Sequence, residues 1–357
     1  MKTYNNLYKQ LCSIENLESA YNKAKKRKSE KWYVIEFEKN LEENLKTLKY
    51  ELETLTYQPR LLKRFIIRDP KTRTIHASAF RDRIVYHALV NILEPIFDKI
   101  FIHDSYASRR ERGTHKAVLR FDEFKRKISN NGRLIKNAVD NNQVIGYILK
   151  ADIKHYFDTV DHEILLNIIK RKIKDDNIIW LIKQILNNFD SEIKGKGMPL
   201  GNLTSQFSAN VYLNDLDYFI KHKLKTKYYI RYVDDFVILH NDKKILEEYK
   251  EKVNNYLKTL KLELHLDKSK IIPLRNGIAF LGYRIFYHYK LLRKANIRKF
   301  EKMFKEELDF LESRNEEAYQ ELMKSLQGWF GYSTWANTFK YRNKIIREII
   351  KKRNITS

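Results

Sequence analysis

An α+β fold, with an antiparallel sheet set among helices, is the class this sequence predicts. Apolar residues recur at helical spacing in long stretches near both ends, and short β-like runs bounded by turn residues lie between them. No period of roughly 20 to 50 residues repeats. No low-complexity linker interrupts the chain either, so its parts are expected to pack together.

Residues 1–56 read as a helical extension, with Leu7, Leu11, Ile14 and Leu17, then Phe37, Leu41, Leu45, Leu48, Leu52 and Leu55, at helical spacing. Between these two sets, Lys23, Lys25, Lys26, Arg27, Lys28 and Lys31 suit a solvated helix face and a nucleic-acid contact equally. Tyr57-Gln58-Pro59-Arg60 breaks the periodicity. Leu61 to Arg68 then reads as a strand, Asp69-Pro70-Lys71 as a turn and Arg73 to Ala77 as the return strand. Ala79–Asp98 is helical, and Gly113–Lys136 is a basic amphipathic helix with a loop at Asn130-Asn131-Gly132. Gln143–Ile153 is β-like, and Asp161–Lys172 and Asn177–Phe189 are helical. Gly195, Gly197, Pro199 and Gly201 form a loop feeding a helix from about Leu203 to Lys223. Tyr228–Arg231 and Phe236–His240 read as a hairpin around Val233-Asp234-Asp235. The charged helix Lys243–Leu260, short strands around Ile271 and over Phe280–Phe286, and basic helices from Ile297 onward complete the chain.

With 357 residues, 43% of them hydrophobic, the chain can bury a substantial core without staples. Seventy Lys and Arg against 45 Asp and Glu leave a net charge of +25, which points to a polyanion, with nucleic acid first, although a generally lysine-rich composition gives the same sum. The single cysteine, Cys12, excludes an internal disulfide and suits a reducing compartment, and ten scattered His offer no paired zinc-ligand spacing. No signal-peptide pattern and no apolar run near the ~20 residues of a membrane span is present, so a cytoplasmic protein is expected.

Two carboxylate sites stand at the edges of β-like segments: Lys150-Ala151-Asp152-Ile153-Lys154-His155-Tyr156-Phe157-Asp158, and Arg231-Tyr232-Val233-Asp234-Asp235-Phe236. An Asp-Asp pair alone is most often a turn signal. Apolar flanks reverse that reading, because unpaired buried charge is costly unless a cation is shared. Hard oxygen donors suit Mg²⁺, and two ions roughly 3.5–4 Å apart account for the number of acids. Successive strand residues face opposite sides, so Asp152 and Asp234 are expected to bridge the ions and Asp235 to be subordinate.

Tyr232-Val233-Asp234-Asp235 resembles the Tyr-x-Asp-Asp signature of reverse transcriptases, and Ala151-Asp152 with Phe157-Asp158 resembles their first carboxylate motif. Arg73-Thr74-Ile75 and Phe80-Arg81-Asp82-Arg83 resemble the fingers segment, and Ser105-Tyr106-Ala107-Ser108-Arg109 the next block. Lys268-Ser269-Lys270 resembles the lysine motif, and Phe280-Leu281-Gly282-Tyr283 the primer-grip region. This resemblance, from about Tyr57 to Asn343, implies a right-hand polymerase with fingers, palm and a helical thumb. The extension would be 1–56, the fingers with part of the palm 57–150, the palm 151–289 with a fingers-facing helical insert at about 161–195, and the basic thumb 290–357.

The same resemblance implies catalytic roles for Asp152, Asp234, Asp235 and Lys268, with Lys270 a close competitor for the lysine role. Asp152, Ile153, Asp234 and Asp235 would hold two Mg²⁺ ions, or Mn²⁺ as a substitute. Arg73, Phe157, Leu200 and Lys63 would bind the dNTP, Phe157 as the aromatic gate against a 2′ hydroxyl and Arg73 by its planar guanidinium. Lys63 suits a solvated strand lysine equally well. Arg109, Gly201, Ser205, Gln206, Gly282 and Tyr283 would contact template and primer. Trp329, Trp335 and Tyr341 suit either base stacking or, at their helical spacing, a core.

One segment departs from most reverse transcriptases. Gly197-Met198-Pro199-Leu200-Gly201-Asn202-Leu203-Thr204-Ser205-Gln206 carries Leu200 where Gln is usual and Gln206 where Pro is usual. The aliphatic residue followed by Gly-Asn-Leu-Thr-Ser-Gln is similar to the enzymes of diversity-generating retroelements. So are Gly113-Thr114-His115, Gly328-Trp329 and Ala336-Asn337-Thr338. That resemblance implies a prokaryotic or phage-encoded enzyme making adenine-mutagenic cDNA from a template-repeat RNA. It also implies a small basic accessory protein, a helical-bundle pentamer. Template RNA, the RNA–DNA hybrid and dNTPs would be its other partners, with no membrane involved. A phage-defence or group II intron-like reverse transcriptase is the nearest alternative, and a catalytically silent RNA-binding scaffold is an alternative of another class.

Overall fold

The computed structural model describes residues 2–68, 72–310 and 316–356, so the turn expected at Asp69-Pro70-Lys71 lies outside the described residues. Helices α1 (Tyr8–Leu11), α2 (Ile14–Lys25), α3 (Trp32–Glu38) and α4 (Leu41–Glu53) precede the antiparallel pair β1 (Lys63–Ile67) and β2 (Arg73–Ala77), then α5 (Phe80–Phe97). Next come α6 (Thr114–Ile128), β3 (Tyr147–Asp152), α7 (Tyr156–Thr159), α8 (His162–Lys170) and α9 (Asp176–Asn187). Helix α10 (Leu203–Tyr218) continues as a π-helical turn over Phe219–Lys223, followed by β4 (Tyr229–Tyr232), β5 (Asp235–His240) and α11 (Lys243–Thr259). Strands β6 (Lys270–Pro273), β7 (Ile278–Phe280), β8 (Tyr283–Ile285) and β9 (Lys290–Leu292), and helices α12 (Lys294–Phe310), α13 (Glu316–Ser333) and α14 (Phe339–Thr356), end the chain.

The chain forms two compact units, one of residues 1–113, 151–237 and 248–269 and the other of 114–150, 238–247 and 270–357. Strands β4, β5, β3 and β6 form a four-stranded sheet in that order.

In the first unit α5 is the central helix. Its residues Ile84, Val85, Ala88, Leu89 and Leu93 are buried because α2 packs along one side and α10 along another. Helix α2 supplies the facing stripe Leu17, Ala20, Tyr21 and Ala24, the spacing that a one-sided apolar helix requires. Helices α8 and α9 start at Asp161 and Asp175, whose carboxylates accept from the main-chain N–H of Ile164 at 3.0 Å and Ile178 at 3.3 Å. Asp175 also accepts from the N–H groups of Leu7 and Tyr8, at 2.7 and 2.9 Å, so the N-terminal segment is fastened to the start of α9.

In the second unit Tyr147, Ile148, Leu149 and Lys150 of β3 pair with Pro273, Ile272, Ile271 and Lys270 of β6. Phe300, Phe304, Leu322, Leu326, Ile345 and Ile349 form the core of α12, α13 and α14. Trp329 stacks on Phe300 with ring centroids 3.8 Å apart and Tyr341 packs beside it, so both belong to this core. Trp335 stacks on His115 at 4.5 Å.

Two sequence expectations are corrected here. The amphipathic helix ends at Ile128 where the loop expected at Asn130-Asn131-Gly132 begins, all three residues in left-handed backbone, and the stretch on to Lys136, expected as helix, is not helical. The strand expected over Phe280–Phe286 is a hairpin, β7 and β8, reversing at Leu281 and Gly282, whose φ angles are 46° and 93°.

Candidate active site

The chain between β4 and β5 reverses over two residues, Val233 and Asp234. Val233 has φ of 55°, a left-handed conformation that costs a β-branched residue about 1–3 kcal/mol and persists only where its surroundings impose it. The turn leaves Asp234 at its corner and Asp235 as the first residue of β5. Asp152 ends β3, and the N–H of the next residue, Ile153, donates to the Asp234 carbonyl at 3.3 Å. One main-chain hydrogen bond therefore holds the two carboxylate segments side by side.

The carboxylates interact as that placement demands. Burial, followed by the charges of Asp235 and Asp152, pushes the Asp234 carboxyl up to about 6, while Lys268 draws it the other way. Lys268 Nζ lies 2.9 Å from Asp152 Oδ1. The Asp152 carbonyl accepts from the N–H of His265 at 2.8 Å, and its N–H donates to Ser269 Oγ at 3.3 Å, so the lysine-bearing loop is fixed to the end of β3.

Among the described residues no three Asp, Glu, His or Cys side chains are already gathered as a closed chelate. The donor set nevertheless fits a hard divalent cation. Three carboxylates share one locality, one of them has a raised proton affinity, and Mg²⁺-type ions complete their shells with water, carbonyl and phosphate oxygens.

Phe157 lies half-buried on α7, just after His155 in the left-handed region, and its carbonyl accepts from the Met198 N–H at 2.6 Å. The loop carrying Leu200 thus runs beside Phe157. On its far side the Leu200 carbonyl accepts from the His76 N–H of β2 at 3.1 Å. Gly201 has φ of 105°, and a Cβ there would meet Ile75 Cγ2 at 2.8 Å, so only glycine allows β2 this close. Ser205 is buried, whereas Gln206 is exposed and its Oε1 accepts from Ser108 Oγ at 3.1 Å.

Arg73 is exposed and pairs across the hairpin with Ile67. Lys63 pairs with Ala77, four residues further along, a separation of roughly 13 Å on a strand. Lys63 lines a hollow with Trp32, Phe37, Leu61 and Arg83. Arg109 was expected on the template. Its guanidinium faces its own loop, with Nε 2.6 Å from Asp98 Oδ1 and Nη1 donating to the Ile102 and Ser105 carbonyls. In the second unit Tyr283 is fully buried and donates to the Tyr332 carbonyl at 3.0 Å, while the Tyr332 hydroxyl donates to the Gly282 carbonyl at 2.8 Å. Both primer-grip candidates therefore make internal packing contacts.

Sequence reasoning missed a buried polar group behind the turn. Arg231 of β4 is fully buried against Asp217 of α10, with Nη2 to Oδ2 at 2.6 Å, and Asn210 and Tyr229 join it. The available signal was an arginine inside an apolar strand, which is tolerated only when paired.

The model of the reverse transcriptase (RNA-dependent DNA polymerase) family matches residues 67–285. The chain is 28% identical to Protein YkfC of Escherichia coli K12, in an alignment covering 68% of this chain and 71% of that protein. It is also 28% identical to the group II intron-encoded protein LtrA of Lactococcus lactis, covering 65% of this chain but 38% of LtrA. Among solved structures, telomerase from Candida albicans in complex with a telomeric RNA fragment superposes with a TM-score of 0.50 at 12% identity, over 85% of this chain and 62% of that one. This likeness is one of fold, the right-hand polymerase fold. No described helix is long and apolar enough to cross a membrane. With the matched span enclosing every carboxylate of the site, the chain belongs to the reverse transcriptase family of RNA-dependent DNA polymerases.

Proposed function

We propose that this chain copies a template-repeat RNA into error-prone cDNA with mutations concentrated at adenines, as in diversity-generating retroelements. The observation that carries the subtype is Leu200, an aliphatic side chain in a loop fastened on one side to the carbonyl of the Phe157 gate and on the other to β2. An aliphatic group there makes no hydrogen bond to a nascent base pair, so wrong geometries are rejected less firmly.

In this reading residues 57–150 are the fingers, 151–289 the palm and 290–357 the thumb. Asp152, Asp234 and Asp235, with the Ile153 carbonyl, hold two Mg²⁺ ions, and Mn²⁺ can replace them. Bound metal supplies activation of the primer 3′ hydroxyl and charge neutralisation at the triphosphate. Arg73 binds that triphosphate, Phe157 excludes a ribose 2′ hydroxyl, and Lys268 stands ready to protonate the leaving pyrophosphate. Gly201, Ser205 and Gln206 line the template side. A small basic accessory pentamer completes the assembly, in the cytoplasm of a prokaryote or of a phage-infected cell.

The test is sequencing of cDNA made in Mg²⁺ from co-purified RNA. Mismatches concentrated opposite adenine are expected, with Leu200→Gln lowering them several-fold. An unchanged error spectrum in that variant would remove Leu200 as the cause. A wild type that extends no primer would sink the polymerase assignment and favour a silent RNA-binding scaffold, and full activity of Asp234→Ala would remove Asp234 from the metal site. The similarity to LtrA favours a second reading, a group II intron-like enzyme. Adenine-neutral errors would select it.

A further inference from the structure

The catalytic turn is held from behind at two consecutive carbonyls. Arg231 Nη1 donates to the Val233 carbonyl at 3.2 Å, and the Ile153 N–H donates to the Asp234 carbonyl at 3.3 Å. The first of these clamps acts on the residue whose left-handed φ of 55° its own side chain disfavours.

Arg231 is itself immobilised on every side. Its Nε and Nη2 reach the two Asp217 oxygens at 2.7 and 2.6 Å, and its Nη1 also donates to Asn210 Oδ1 at 3.0 Å. Tyr229 donates to Asp217 Oδ1 at 2.6 Å, and Asn210 Nδ2 donates to the Ala107 carbonyl at 2.9 Å. The Arg231 main chain is bound at both ends, its N–H to the Asp104 carbonyl and its carbonyl to the Tyr106 N–H, each at 3.0 Å. Helix α10, strand β4 and the 104–107 loop thus converge on one guanidinium that reaches the residue before Asp234.

We propose that Arg231, set by Asp217 and Asn210, is a positioning residue that fixes the Val233–Asp234 turn and so the spacing of the Asp234 and Asp152 carboxylates for divalent metal. The planar fork is what the task requires. Lysine keeps the charge but cannot present parallel donors to Asp217 while also reaching Asn210 and the Val233 carbonyl.

This inference rests on the polymerase reading of the carboxylates, and its test separates the two. Arg231→Lys and the milder Asn210→Ser are compared with wild type in single-nucleotide extension on an RNA template, and in thermal melts titrated with Mg²⁺. Extension at saturating dNTP is expected to fall roughly ten- to a hundredfold in Arg231→Lys, because small misplacements of catalytic groups have effects of that order. The KM for dNTP should stay within about twofold, since the fingers contacts are untouched. The Mg²⁺ midpoint, in extension and in the thermal shift alike, should rise several-fold in both variants.

Lower melting temperatures with wild-type rate and wild-type Mg²⁺ midpoints would make Arg231 purely structural and overturn the proposal. Should Arg231→Lys fail to fold, Asn210→Ser alone decides by the same readouts. A wild type that binds Mg²⁺ but extends no primer would defeat the polymerase reading, and the thermal Mg²⁺ midpoint would still judge the positioning role.

Discussion

Asp234 links ionisation to stability. Its folded carboxyl is pushed up to about 6 from an ordinary 3.8, so between those values the folded chain holds a proton that the unfolded chain releases. The sign follows: this group's contribution becomes unfavourable as pH rises through that window, by on the order of 3 kcal/mol once fully ionised. A divalent ion offsets that cost only where the carboxylate is ionised. Mg²⁺ should therefore raise the melting temperature more at pH 7.5 than at pH 5, and Asp234→Asn should shrink the difference. Equal Mg²⁺ shifts at both pH values would contradict the placement of Asp234 in the metal site.

Elements were legible where their determinants are local. The long helices follow from apolar spacing, and the β4–β5 reversal from its Asp-Asp turn between apolar strands. The β7–β8 hairpin was missed because its turn, Leu281-Gly282, interrupts an apolar run without the usual polar punctuation. The separation of Lys63 and Arg73 along the hairpin was not legible, because pairing register is not written in either strand alone. The Arg231 cluster was missed because its partners lie on α10, outside any motif window. Asp175 is a non-local joint of the same kind, capping α9 while accepting from Leu7 and Tyr8. Asp175→Ala should cost about 2–4 kcal/mol, the sum of a lost cap and two hydrogen bonds to a charged acceptor. Chemical denaturation with an unchanged m value would establish it, and a loss below about 0.5 kcal/mol would show the N-terminal segment to be held by other contacts.

At the scale of the whole molecule, the net charge of +25 survives a surface on which many acids are already matched within helices, such as Lys46 with Glu42 and Lys243 with Glu247. The uncompensated remainder is basic, and neutralising phosphates releases counterions. Affinity for an RNA–DNA hybrid should drop by about a thousandfold between 50 and 200 mM salt if six or more phosphates are contacted, read by filter binding. A flat salt response would mean that the charge faces solvent and serves solubility alone.

The ion pair between Lys268 and Asp152, 2.9 Å apart, bears on how the site is loaded. An ammonium on a side-chain leash competes at that oxygen with any dissolved cation, so metal affinity measures an exchange between a resident charge and an arriving one. A metal that took Asp152 would also free the lysine, at the place where an incoming phosphate chain would want a positive neighbour. Loading the site and recruiting its anionic ligand would then be two faces of a single event, coupled through one side chain.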